Sequence, residues 1–331
     1  MAKYLRNRLL LLIPTVLIVS AVIFFIIQLP AGDYVSSYIA QMTAQGESFS
    51  SQDILKLKEY YGLDKPWYLQ YFSWMAKIIT HGDFGYSFAY SRPVWSVIMD
   101  RLPLTLTVSV TILLFTYLVS VPIGIYSAVH QYSAGDYLFT AIGFLGMATP
   151  NFLLAIILMY LSFQWTGDPL LGLFSNEMLQ NGVHLYNLGE FLKRMVIPTI
   201  VIGTSGTCGI IRTVRAQMLD EMTRQYVLTA RAKGVSERTI IYKYCLRVAL
   251  NPVVSGLSGS LSSVFSGSTI SAIVMNLAIQ GPVLYDALKC QDMYLAGTIL
   301  LVQAILVVIG TLISDIVLAW LDPRIRFEKR N

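Results

Sequence analysis

The chain has 331 residues, 55% of them hydrophobic and only 13% Asp, Glu, Lys or Arg, with a formal net charge of +5. Soluble domains run at about 45–50% apolar and about 25% charged, so this chain has too little polar surface to cover a body of its size in water. A soluble enzyme, a nucleic-acid binder and a secreted disulfide scaffold are excluded.

Uncharged stretches run Leu9–Leu29, Leu102–Val129, Tyr137–Gly167, Met195–Ile211, Val248–Tyr285 and Met293–Ser314. A helix needs about 20 apolar residues to cross a bilayer, which predicts an all-α polytopic membrane protein with about six transmembrane helices. The first run follows Lys3, Arg6 and Arg8. It is too long for a signal-peptide core and closes on Leu29-Pro30 rather than a small-residue cleavage site. Residues 1–30 therefore read as a tail and a retained first span.

Residues 31–101 form a long segment between spans, with short helices of its own. Ser51-Gln52-Asp53 leads into a capped helix pattern, and Asp64 is placed to cap a second helix starting near Pro66, since proline is tolerated at a first helical position. Trp67, Tyr68, Tyr71, Phe72 and Trp74 are dense here. An interfacial aromatic belt explains several of them; a small platform packed over the spans explains the rest. Residues 102–331 then form a core of five spans.

Within that core, residues 212–251 carry eight basic residues. Gln217–Lys233 reads as one helix, with Leu219, Met222, Tyr226 and Ala230 recurring at three- and four-residue steps. Gly234 interrupts it, and Ser236 is placed to cap a second helix. The apolar stripe has no evident place inside a loop, so an exposed amphipathic helix for a partner's groove is the expectation. The fifth span, roughly Pro252–Asn276, carries Gly256, Gly259, Ser260, Ser263, Gly267, Ser268 and Ser271. Such small residues let helices approach closely in lipid, or line a translocation path with hydroxyls. Asp315, an acid inside the last span, is a functional candidate by default, with a structural ion pair or helix-end contact as the alternative.

Basic residues are distributed by side. With the N-terminus inside, 15 of the 24 Lys and Arg fall on inner segments, eight of them in residues 212–251. The positive-inside bias then makes both termini cytoplasmic and residues 31–101 external (periplasmic-side). Cys208, Cys245 and Cys290 are scattered and offer neither a disulfide framework nor a metal site; His81, His130 and His184 are equally dispersed. There is no P-loop, and no nucleophile or zinc motif offers a catalytic centre. No cofactor, metal or enzymatic activity is expected, and a partner must supply energy.

The segment Tyr226-Val-Leu-Thr-Ala-Arg-Ala-Lys-Gly234-Val-Ser-Glu-Arg resembles the cytoplasmic "EAA" loop of importer permeases in the ATP-binding cassette (ABC) superfamily, and more narrowly the oligopeptide/dipeptide/nickel permease family. Tyr61–Pro66, Gly82–Ser87, Arg92-Pro-Val94, Arg101–Thr105, Pro150-Asn-Phe152, Ile197-Pro198 and Asp322–Arg326 are similar to signatures of that family, in order along the chain. The resemblance implies an importer-type permease fold of the first permease partner type. It also implies a second permease subunit, two cytoplasmic ATPase subunits and an external solute-binding protein as partners, in a bacterial or archaeal inner membrane. By position, Tyr226, Thr229, Ala230, Arg231, Ala232, Lys233, Gly234 and Ser236 become the ATPase-coupling loop. Gly256, Gly259, Ser263, Gly267 and Ser271 become pathway or close-packing candidates.

Small peptides are the cargo the resemblance implies, with nickel chelates, oligosaccharides or opines as alternatives. A membrane enzyme needs buried ionisable clusters, and a secondary transporter needs midplane polar groups and a repeat; the chain offers neither. The sequence departs from the family pattern at Ala272, Met275, Ala278 and Ile279, where an acidic residue, an aromatic and Pro-Gly are usual, with Gly281 retained.

Overall fold

The computed structural model describes residues 2–29, 34–44, 50–60, 65–175, 188–267 and 269–321. Asp64, His184, Ser268 and Asp322–Arg326 lie outside the described residues. The helices are α1 (Ala2–Ile27), α2 (Tyr34–Ala44), α3 (Ser51–Tyr60), α4 (Trp67–His81), α5 (Val94–Val129), α6 (Ala134–Ala148), α7 (Asn151–Thr166) and α8 (Leu188–Met222). They continue as α9 (Gln225–Ala232), α10 (Glu237–Thr239), a π-helical turn (Ile240–Cys245), α11 (Leu246–Ala249), α12 (Asn251–Ser255), α13 (Leu257–Gly267), α14 (Thr269–Val274), α15 (Gln280–Lys289) and α16 (Met293–Leu321). A hairpin pairs β1 (Tyr86–Ser87) antiparallel with β2 (Arg92–Pro93).

The chain divides into two compact units that cut across chain order: Ala2–Thr105 with Ile279–Leu306, and residues 106–278 with 307–321. In the first, α4 lies on α1. Phe24 stacks on Trp74 at 5.5 Å between ring centroids, and the Ser20 and Tyr71 hydroxyls meet at 2.8 Å. Aromatic pairs of this kind add about 0.5–1.5 kcal/mol beyond area burial. Trp74 is buried, whereas Trp67, Tyr68 and Phe72 are exposed, so the aromatic cluster divides between packing and an exposed face. The second core of this unit joins Val94, Val97 and Ile98 of α5 to Val283 and Ala287 of α15 and Leu295 and Ile299 of α16.

Asp292 ties this unit's hairpin to the start of α16. The Ser87 hydroxyl donates to it at 2.7 Å, and the backbone N–H groups of Ala89 and Leu295 donate at 3.1 and 3.2 Å. Burial pushes the Asp292 carboxyl above its ordinary pKa, against these donors.

Among the described residues four helices are long and apolar enough to cross a membrane: α1 (from Leu10), α5, α8 and α16. The expected third span is instead the pair α6 and α7, bent by 105°. Thr149 is extended (φ −84°, ψ 124°) because it precedes Pro150, and the proline ring disfavours the helical region for the residue before it. The expected fifth span is described as α12, α13 and α14, with helical backbone at Gly256 between the first two and Ser268, between the last two, outside the described residues. Among the described residues, four helices meet this length and apolarity, or five spans with the bent pair counted as one, against about six expected.

Candidate functional site

Residues 212–251 are built differently from the sequence expectation. α8 continues from its apolar half to Met222, and the chain turns at Thr223–Arg224 before α9, so Gln217–Lys233 is two helices. The apolar stripe has a place after all. Met218, Val227 and Ala230 are buried in one core with Ile125, Ala128, Val214, Ile240 and Cys245, and Leu219 and Met222 pack against it. What α9 leaves exposed is its other face, with Tyr226, Leu228, Thr229, Arg231, Ala232 and Lys233. Ala230, expected at a docking surface, is a packing residue, 8% exposed.

Gly234 terminates α9 with φ +76°, in the left-handed region where glycine pays no Cβ penalty. The Val235 N–H donates to the Ala230 carbonyl at 3.1 Å and the Gly234 N–H to the Arg231 carbonyl at 2.9 Å, the paired bonds of a Schellman cap. Across the turn, Arg231 grips Glu237 with Nε at 2.7 Å and a terminal nitrogen at 3.2 Å, and Arg231 holds the Glu237 carboxyl below its ordinary pKa. Ser236 occupies the N-cap position of α10 with extended φ and ψ, but makes no capping bond to the backbone; its hydroxyl meets that of Thr239 at 2.9 Å. At the other end, the Tyr226 hydroxyl donates to the buried Glu221 carboxylate. Burial and that carboxylate push the phenol well above its usual range.

One support of this loop lies outside the sequence expectations. Asp136 is buried at the start of α6 and receives two bonds from the Arg215 guanidinium of α8, at 3.1 and 2.9 Å. The Tyr132 N–H also donates to it at 3.0 Å, so the buried carboxylate is met by three donors from two directions. Ser133 accepts from the Asp136 N–H at 3.2 Å, and Ser133-x-x-Asp136 is a helix-start signature that the sequence does contain. Close-packed glycines also lie in the same unit. A Cβ on Gly124 would meet Val214 at 2.7 Å, one on Gly203 would meet Phe115 at 2.7 Å, and one on Gly310 would meet Leu261 at 2.5 Å.

Among the pathway or close-packing candidates of the fifth span, Gly259 has open space where a Cβ would point, and Gly256 meets only the Pro252 and Val253 carbonyls at 3.5 Å. Ser263 instead lines a cavity of about 150 Å³ with Thr116, Asn151, Ser205, Gly206 and Ser260. Ser260 also approaches the Tyr117 hydroxyl at 3.3 Å. Ser271 is buried, Gly267 ends α13, and Asp315 is half-buried within α16. The family departures Ala272, Met275 and Ile279 are buried apolar residues. Gln280, which follows them, is 1% exposed, and its side-chain amide has no hydrogen-bond partner among the described residues. The three cysteines are free: Cys208 and Cys245 are buried and Cys290 is exposed.

Residues 120–327 match the family described as binding-protein-dependent transport system inner membrane component, and residues 1–111 match its N-terminal companion. The oligopeptide transport system permease protein AppB of Bacillus subtilis is 32% identical over 99% of this chain and 100% of its own length. The peptidoglycan transport system permease protein YejB of Agrobacterium fabrum is 31% identical over 100% of both chains. The dipeptide transport system permease protein DppB of Escherichia coli K12 is 29% identical over 99% of this chain and 100% of its own. Among solved structures, an inward-facing form of the MetNI methionine ABC transporter covers 68% of this chain and 96% of its own at TM-score 0.52 and 18% identity, a likeness of fold. The exposed helix, its glycine turn and these full-length matches agree: the chain belongs to the family of binding-protein-dependent transport system inner membrane components, the permease subunits of ABC importers.

Proposed function

We propose that this chain forms half of a peptide-importing pathway with a second, similar permease, and takes its energy from two cytoplasmic ATPase subunits. The observation that carries the coupling half of this reading is the exposed face of α9 closed by the Gly234 cap. In this reading α9 sits in a cleft of an ATPase subunit, through Thr229, Ala232 and Lys233. Closure of the ATPases then moves α8 through the shared core of Met218, Val227 and Ile240. ATP is hydrolysed on those partners, not here.

Solute would be delivered by an external binding protein in a bacterial or archaeal inner membrane. The basic bias of residues 212–251 supports placing them, and both termini, in the cytoplasm. Residues 31–101 would face outward, followed by the permease core from residue 102. The hydroxyl-lined cavity beside Ser260 and Ser263 supports a place for the fifth span along the pathway. Small peptides as cargo are supported by relatives named for oligopeptide and dipeptide transport.

Cysteine placed at Thr229 or Ala232 should form a disulfide with a cysteine in the cleft of a copurifying ATPase. In proteoliposomes with ATP inside, uptake of labelled di- to pentapeptides should require the external binding protein. Absence of cross-linking at both positions with intact uptake would refute the docking assignment; uptake of some other solute class with peptides refused would refute the cargo.

A further inference from the structure

Where the loop returns toward the end of the last span, a groove of about 500 Å³ is lined by Tyr242, Lys243, Leu246, Arg247, Leu250 and Trp320. Its lining combines apolar and aromatic side chains with two cations. Lys243 and Arg247 are exposed, and Trp320 and Tyr242 are 71% and 57% exposed. The inner face of the same segment is spent on the core, through Ile240, Cys245 and Ala249, against which Leu246 and Leu250 also pack while staying partly open to the groove. Arg247 is held in place by donating from Nε to the Leu321 carbonyl at 2.7 Å, which fixes a positive charge at the end of α16.

The depth of this groove follows from helix length. α16 has 29 residues and is about 43 Å long, against a hydrocarbon core of about 30 Å. Its last turn therefore reaches the headgroup region, the level that suits a tryptophan with one apolar and one polar edge. A groove with apolar walls, an interfacial tryptophan and two adjacent cations complements a molecule with an acyl chain and an anionic head. We infer that this groove is a binding site for one anionic phospholipid, with the headgroup phosphate at Lys243 and Arg247 and an acyl chain along Leu246, Leu250 and Trp320.

Charge selects this occupant over the chain's own tail. Residues 322–331 carry Arg324, Arg326, Lys329 and Arg330 against Asp322 and Glu328, so the tail adds positive charge to a positive rim rather than neutralising it. Clusters of Lys and Arg beside a membrane helix attract anionic lipid with about a five-fold gain per residue. The inference needs only that α16 spans the bilayer; it is independent of the cargo and of α9 docking.

The test uses the full chain in phosphatidylcholine nanodiscs, with brominated phosphatidylglycerol or brominated phosphatidylcholine as the quencher of tryptophan fluorescence. The difference between wild type and Trp320→Phe isolates the Trp320 signal. Quenching of Trp320 should be stronger with the brominated anionic lipid at equal mole fraction, and Lys243→Gln should lower the preference about five-fold without changing the melting temperature. Lys243 is exposed and its ammonium makes no hydrogen bond or ion pair among the described residues, so it keeps the test open if Arg247→Gln disturbs the end of α16. Equal quenching by the two lipids would overturn the inference, as would a preference that survives Lys243→Gln and Arg247→Gln together. A preference abolished by inorganic phosphate alone would assign the site to a free anion. A preference seen only after removal of residues 322–331 would assign it to the tail.

Discussion

Replacing Gly234 is the sharpest probe of the coupling loop. The residue sits at φ +76° with nothing within 4 Å of where a Cβ would lie. A side chain therefore meets no clash, and the whole cost is backbone strain. For an L-residue in the left-handed region that is about 1–2 kcal/mol, or about five- to thirty-fold in the equilibrium between the capped turn and its alternatives. Asn and Asp tolerate this region best, and β-branched residues worst. Transport should therefore fall in the order Gly234→Asn, Gly234→Ala, Gly234→Val. Gly234→Asp fits the turn as Asn does but puts a negative charge on the exposed face proposed to enter the ATPase cleft, where burying it unpaired is costly; it should insert normally yet lose uptake and binding-protein-stimulated ATP hydrolysis. The assay is ATP-driven uptake in proteoliposomes, with membrane insertion and melting temperature measured on the same preparations. The strain should move the melting temperature of a chain this size by only about 1–3 °C, so a large loss of uptake is a loss of coupling. Full uptake in Gly234→Val or in Gly234→Asp would refute the reasoning.

Three further expectations follow from the ion pairs and buried acids. Arg215→Met leaves the Asp136 carboxylate buried without its guanidinium, and should destabilise the chain by about 3 kcal/mol in thermal unfolding; Arg215→Met combined with Asp136→Leu should recover much of it, and equal melting of the single and double variants would sink this account. For Asp292 the folded pKa is raised by burial, so ionisation costs stability as pH rises from the unfolded value near 4 through the folded one. Asp292→Asn should therefore unfold at or above the wild-type temperature at pH 7, with the gap closing as pH falls below that interval. Asp292→Ala, which strands the Ser87 hydroxyl and the Ala89 N–H, should lose about 1–3 kcal/mol for each; equal melting of the Asn and Ala variants would contradict this. Tyr226→Phe removes the bond to Glu221 and should cost about 1.5 kcal/mol, the low end for a bond to a charged group, since Tyr226 is 42% exposed. An unchanged melting temperature would show that the bond contributes nothing.

How much of the loop is legible in the sequence differs residue by residue. Gly234 is legible because a glycine after a helical pattern has few other uses, and the Schellman cap is what such a glycine makes. The helix before it reads as one piece, since periodicity alone carries Leu219, Met222, Tyr226 and Ala230 across the turn at Thr223–Arg224 without a break. The free face of α9 comes out reversed for the same reason. Periodicity tells which residues are apolar, but not that α5, α8 and the π-helical turn come together to bury them. Asp136 and Arg215 lie 79 positions apart, and no local pattern joins them.

By itself the sequence determined that this is a multi-pass membrane protein, because 13% charge over 331 residues leaves no way to solvate it. Its motifs also determined the importer-permease family, because they recur in order from Tyr61 to Arg326. The tertiary structure decided what those segments do in space. It bent the third span where Pro150 denies Thr149 a helical backbone. It assigned close packing to Gly124, Gly203 and Gly310, where neighbouring side chains leave no room for a Cβ. It also turned Thr229, Ala232 and Lys233 outward, because the apolar side of α9 is already committed to the core.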